Sequence, residues 1–210
     1  MLNRYTLVLA GLVMASSFAS ASVLDAVTAK DAQQLARAIA AGHPVDEKNA
    51  AGQTLLLVAV WNNDIASAKL LLEAGADVNA KDTIQDSPYL VAGAHGRVEI
   101  LKMILKHGAD LKSTNRYGGT ALIPAAEKGH PEAVSLLIEA GVDVNHVNNL
   151  GWTALMEAVV LSNGGPIHQD IIRRLLDGGA DKTIPDSNGV TALEHAKARG
   201  FAEIIQILQD

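Results

Sequence analysis

NRYGGTALIPAAEKGHPEAVSLLIEAGVDVN, residues 115–145, holds one complete structural unit. It opens on a turn, Tyr117-Gly118-Gly119, and places Thr120 ahead of a helix predicted over Ala121–Glu127. A threonine hydroxyl there can accept a hydrogen bond from the free N–H groups of the first helical turn. A second turn at Gly129-His130 leads into a helix predicted over 131–140. Pro131 suits its first position, where a missing N–H has no intrahelical partner to lose. Gly141 closes that helix, because glycine takes the left-handed conformation that costs other residues about 1 kcal/mol or more.

The unit recurs outward in both directions. Its capping position is occupied by Thr54, Ser87, Thr120, Thr153 and Thr191, spaced 33, 33, 33 and 38 residues apart. The closing glycines Gly42, Gly75, Gly108, Gly141 and Gly179 keep the same spacing. Between them run two apolar ladders, Leu56, Tyr89, Leu122, Leu155, Leu193 and Ala59, Ala92, Ala125, Ala158, Ala196. Self-similarity at a fixed period marks a repeat architecture. The period and the GxTxL…A…LLxxGAD wording resemble the ankyrin repeat, a β-turn followed by two antiparallel helices. The resemblance covers almost everything after residue 21. It implies an all-α solenoid with short β-turns and about six repeats including terminal caps: 22–48, 49–81, 82–114, 115–147, 148–185 and 186–210. The family's TPLH tetrad reads TLLL, SPYL, TALI, TALM and TALE here. Its histidine, which in the family bonds neighbouring loops, is missing each time, so looser coupling between loops is expected.

Composition agrees with a solenoid. Apolar residues make up 49% and aromatics only 3%, giving a core of Ala, Leu, Val and Ile. There is no cysteine, which excludes disulfides and thiolate chemistry but fits any compartment.

Residues 1–21 differ from the rest. Arg4 supplies a short positive start, Thr6 to Met14 an apolar stretch, and Ala19-Ser20-Ala21 a small-residue cleavage signal. The apolar run Leu7 to Ala15 would cover roughly 14 Å as helix, against about 30 Å of hydrocarbon, too short for an anchor. Cleavage after Ala21 and delivery to a bacterial periplasm are expected, without membrane insertion afterwards. Ser22-Val23-Leu24-Asp25 then reads as a capping box at the mature start. Asp25, Lys30, Gln33, Gln34 and Arg37 give the first repeat the polar outer face of a cap, and Lys197, Arg199, Glu203 and Gln206 do so for the last.

Two repeats depart from the pattern. The third carries Ile84-Gln85-Asp86 where the others place Gly52, Gly118, Gly151 and Gly189, so Gln85 either takes a positive φ or remodels the turn. The fifth holds five extra residues, read as a loop at Ser162-Asn163-Gly164-Gly165-Pro166 between its helices. That loop is either tolerated length variation or a contact loop.

Catalytic and metal signatures are absent. The seven histidines are scattered, with no HExxH and no pair at one-turn helical spacing. There is no GxSxG elbow and no phosphate-binding GxxxxGK[ST] loop. Neither a cofactor nor a metal is expected, and an enzyme is the least favoured class. A net charge of −6, with no basic stripe, opposes nucleic-acid binding. Lys102 and Lys106 share an outward helix face and read as solvation.

The resemblance implies protein recognition through the concave side, where each repeat presents its turn tip and the outer edge of its first helix. Those positions are Trp61 and Asn62 in repeat two and Thr83, Ile84, Asp86 and His95 in repeat three. They are Arg116, Tyr117, Glu127 and Lys128 in repeat four and Asn149, Leu150 and Trp152 in repeat five. Leu161, Asn188, Val190 and Arg199 extend the face. Aromatic and apolar residues flanked by charges are the composition of an interface hot spot, although Trp152 could pack on the adjacent turn instead. The expected protein is a monomeric, exported interaction module serving as adaptor or accessory factor. An inhibitor that neutralises a toxin or enzyme uses the same face, and the residues do not separate the two.

Overall fold

In repeats two to six an aspartate or asparagine side chain folds the turn that leads into the first helix. The Oδ1 atoms of Asn49, Asp82, Asn115, Asn148 and Asp186 each accept backbone N–H bonds from the second and fourth residues that follow, at 2.9–3.1 Å. This side-chain turn satisfies two backbone donors that no strand would pair. The computed structural model describes residues 23–210, so the leader expected over 1–21 and the Ser22 cap lie outside the described residues.

Twelve helices follow one another among the described residues. Repeat one is α1 (Val23–Thr28) and α2 (Ala32–Ala40), repeat two α3 (Leu55–Trp61) and α4 (Ile65–Glu73), and repeat three α5 (Pro88–Ala94) and α6 (Val98–Lys106). Repeat four is α7 (Leu122–Glu127) and α8 (Pro131–Glu139), repeat five α9 (Ala154–Val160) and α10 (Pro166–Asp177), and repeat six α11 (Ala192–Arg199) and α12 (Ala202–Gln209). Each first helix packs on the first helix of the next repeat, and each second helix on the next second helix. Two helical layers therefore enclose one continuous core, as a helical solenoid requires. The described residues contain no strand, only an isolated antiparallel bridge between Lys48 and Thr54.

The ladders read from sequence are the axis of that core. Leu56, Tyr89, Leu122 and Leu155 are buried, as are all five ladder alanines. Leu193, on α11 of the last described repeat, is only half-buried. The alanines allow successive helices to approach closely, and the leucines fill the space between layers.

Three expectations meet corrections or refinements. Thr54, Ser87, Thr153 and Thr191 cap their helices, each side-chain oxygen accepting a backbone N–H three residues on at 3.2–3.3 Å. Thr120 does not: its buried Oγ1 has no hydrogen-bond partner, and its helix begins one residue late, after Ala121. Proline is the cause. In the other repeats the fourth residue after the cap donates its N–H to the cap carbonyl, as Val58 does to Thr54 at 3.0 Å. Pro124 stands at that register without an N–H, so the first helical bond shifts to Ala125→Ala121, stretched to 3.4 Å.

The insertion in repeat five is not confined to a loop. Residues 161–165 replace the three-residue reversal of repeat two, taking up two of the extra residues, and α10 has 12 residues against 9 in α8. Gln85 takes the positive φ, at +69°, in place of the turn glycine.

Side-chain hydrogen bonds link neighbouring loops although the TPLH histidine is absent. Asn79 and Asn145 each bridge to the next repeat, donating Nδ2–H to the carbonyls of Gly108 and Gly179 and accepting from the N–H of Asp110 and Asp181. At the helix reversals, side chains reach back one repeat. Arg97 donates to the Trp61 carbonyl at 3.3 Å, and Arg199 donates to the carbonyls of Val160 and Ser162 at 2.9 and 2.8 Å. His168 Nε2 lies 2.9 Å from the Glu127 carbonyl. These groups meet otherwise orphaned carbonyls at the C-terminal ends of α3, α7 and α9.

Candidate partner-binding face

Seven of the thirteen residues expected at the interface surround one cleft of about 250 Å³: Trp61, Asp86, His95, Arg116, Tyr117, Glu127 and Lys128. The cleft crosses three repeats. Trp61 comes from the end of α3, His95 from the end of α5, and Glu127 and Lys128 from the end of α7. Asp86, Arg116 and Tyr117 come from the turns that lead into the first helices. Leu90, Val91, Ala94, Asn115 and Pro124 complete the lining.

The other six expected residues lie elsewhere on the surface. Ile84 and Leu150 are 50% and 52% exposed turn tips, and the Thr83 hydroxyl donates to the Ala51 carbonyl. The Asn62 carbonyl accepts from Lys30, and the Asn149 N–H donates to the Tyr117 carbonyl. Trp152 is half-buried against the core.

The aromatic residues have different burial. Tyr117 is 54% exposed, with the Arg116 guanidinium 4.9 Å from its ring centre. Trp61 is half-buried against the core, its Nε1 enclosed without a partner and its ring edge-on to His95 at 4.6 Å. Trp61 therefore supports the fold as well as lining the cleft, and its removal tests both at once. Tyr117 is the cleaner probe.

Electrostatics around the cleft are mixed. Burial, reinforced by Asp82, pushes the Asp86 carboxyl above its ordinary range, with Arg116 and Lys128 opposing. Arg116 approaches Asp86 only to 3.8 Å. Burial also lowers His95 and His130, with Lys128 and Arg97 adding to the effect, so both imidazoles tend to be neutral. Among the described residues no group of three or more His, Asp or Glu side chains could hold a metal ion. No helix there is long and apolar enough to cross a membrane.

Sequence reasoning missed Glu157. It is buried on α9, accepts a 2.8 Å hydrogen bond from Asn148 Nδ2, and is pushed up to about 7 by burial and by Glu127. Its register was the available signal: the same position holds Val58, Val91, Pro124, Glu157 and His195. His195 pairs with Asp186 at 2.9 Å in the same way, nine residues apart in both repeats.

Known proteins match this geometry. Residues 89–186 match the family profile for Ankyrin repeats (3 copies), and residues 51–83 match the profile for a single Ankyrin repeat. A crystal structure of an ankyrin repeat domain from Acinetobacter baumannii AYE superposes with a TM-score of 0.86 at 55% identity, covering 89% of this chain and 95% of that one. The ankyrin repeat protein EF0377 gives a TM-score of 0.87 at 47% identity, covering 90% of this chain and 96% of its own. A 52-residue stretch is 48% identical to the putative ankyrin repeat protein YahD of Escherichia coli K12; it spans 25% of this chain and 26% of YahD. Ankyrin repeats are protein–protein interaction modules, and proteins built from them are generally non-enzymatic scaffolds. With its period, its paired helices, its aligned ladders and these matches, the chain belongs to the ankyrin repeat family.

Proposed function

We propose that this protein is an exported interaction module that binds a protein of the bacterial envelope across repeats two to four, as an adaptor or accessory factor rather than an enzyme. The observation that carries the reading is the cleft at Trp61, Asp86, His95, Arg116, Tyr117, Glu127 and Lys128, where independent turns and helices converge. An exposed tyrosine beside charged groups gives a partner apolar area at its centre and polar contacts at its rim. The leader-like composition of residues 1–21 supports export.

Capture from periplasmic extract tests the reading, with residues 23–210 as bait and Tyr117→Ala as control. The expected result is a protein retained by the wild type and lost with the variant while melting is unchanged. Equal retention by both would remove this face from the interface. Mass spectrometry of the exported protein should find an N-terminus at Ser22, and an intact Met1 would refute processing. Whether the captured protein keeps or loses its own activity separates adaptor from inhibitor.

A further inference from the structure

Two acids line the cleft without a hydrogen bond from another protein group. Among the described residues, neither the Asp86 nor the Glu127 carboxylate accepts a hydrogen bond. Asp86 is half-buried, with Asp82 as a like-charged neighbour and one long ionic contact to Arg116 at 3.8 Å. Glu127 faces a second acid, Glu157. The Asp86 side chain is only 15% exposed, and a cation that reaches a carboxylate partly withdrawn from water offsets the cost of that burial.

The resident cations do not fill this role. Lys128 is exposed, and Arg116 is 46% exposed with its guanidinium already over Tyr117. Arg116 can leave Asp86 and keep its aromatic contact. Long-range charge points the same way. Arg4 is the only charged residue before Asp25, so the overall −6 becomes −7 for residues 23–210, which draws basic partners and repels acidic ones.

We propose that the partner inserts a lysine or arginine side chain into this cleft, its cation on Asp86, its alkyl stem along Tyr117, and Arg116 displaced. The inference rests on the reading of this face as the partner-binding surface. It names the chemistry of the anchoring residue. An acidic anchor on Arg116 and Lys128 is the competing arrangement. It gains less, because those cations are already hydrated and the partly buried Asp86 would keep its desolvation cost and its like-charged neighbour Asp82.

A display library of random 12-residue peptides, panned on residues 23–210, decides between them; the selected peptides are synthesised and their affinities measured by fluorescence polarisation. The selected peptides should share a lysine or arginine whose replacement by glutamine weakens binding about tenfold. Asp86→Asn should weaken binding by a similar factor, and Tyr117→Ala should also weaken it. Arg116→Ala should leave binding unchanged or tighten it, since it removes the competitor for Asp86. Peptides that need Tyr117 but carry a shared acid, lose affinity with Arg116→Ala and ignore Asp86→Asn would overturn the basic anchor and keep the face. Peptides indifferent to both Tyr117→Ala and Asp86→Asn, or no enrichment at all, would overturn both. Unchanged melting of Asp86→Asn confirms that the comparison is made on folded protein.

Discussion

Thr120 and Thr153 occupy the same register one repeat apart, yet replacing each by valine should have opposite effects. Thr153 Oγ1 accepts the buried Met156 N–H at 3.2 Å, and valine would leave that donor unpaired. Loss of a cap bond costs about 1–2 kcal/mol. Thr120 Oγ1 is buried with no partner, so valine keeps the shape and removes a desolvated hydroxyl. That change should be neutral or stabilising by up to about 1 kcal/mol. The two variants should therefore differ by about 2 kcal/mol. Urea titration followed by circular dichroism reads the difference as a shift in midpoint at unchanged slope. A third variant tests the cause. Pro124→Val restores the N–H that Val58 supplies in repeat two, and in that background Thr120→Val should cost about 1 kcal/mol. Equal destabilisation by Thr120→Val and Thr153→Val in the native sequence would refute the assignment of the lost cap to Pro124.

Other outcomes follow from the same physics. Leu122→Ala should destabilise by about 2–5 kcal/mol through a cavity at the centre of the stack, and an unchanged denaturation midpoint would count against the ladder. Gln85→Gly should stabilise by about 0.5 kcal/mol, since relief of the left-handed strain exceeds the entropy glycine adds to the unfolded chain; a lowered midpoint would mean that the turn is unstrained. Glu157 is pushed up from 4.5 to about 7, so the folded state holds its proton more tightly than the unfolded state. Stability should fall as pH rises through that window, by about 3 kcal/mol at most. Glu157→Gln should flatten this part of the melting-temperature profile, and an unchanged profile would place the titration elsewhere.

The fold was legible because each repeat states it separately. Threonine, leucine, alanine and glycine return at fixed intervals, and any one interval could be checked against the others. Departures were legible as positions but not as outcomes. The +69° φ of Gln85 was one of two open alternatives. Pro124 was visible, but its effect on Thr120 runs through a missing N–H one helical turn away. The insertion divided between loop and helix because Pro166 starts α10 as readily as it ends a loop. At the site, turn tips were identifiable one by one, whereas the cleft depends on how three repeats are set side by side. Trp61 shows the limit: its register places it on the face, but burial against the core follows from its neighbours in space. Glu157 escaped notice because a lone acid in an apolar register resembles an ordinary surface substitution until Asn148 is seen bonded to it.

That the cleft straddles three repeats makes its width a property of the superhelix. Arg97 joins α6 to the end of α3, and the Asn149 N–H joins the fifth turn to Tyr117 in the fourth. A small change in the bend between adjacent repeats moves Trp61, Asp86 and Tyr117 relative to one another without any rotamer change. A partner that spans the three repeats would therefore resist bending between them, and bending would loosen its grip, so the two would be readings of one elastic coordinate.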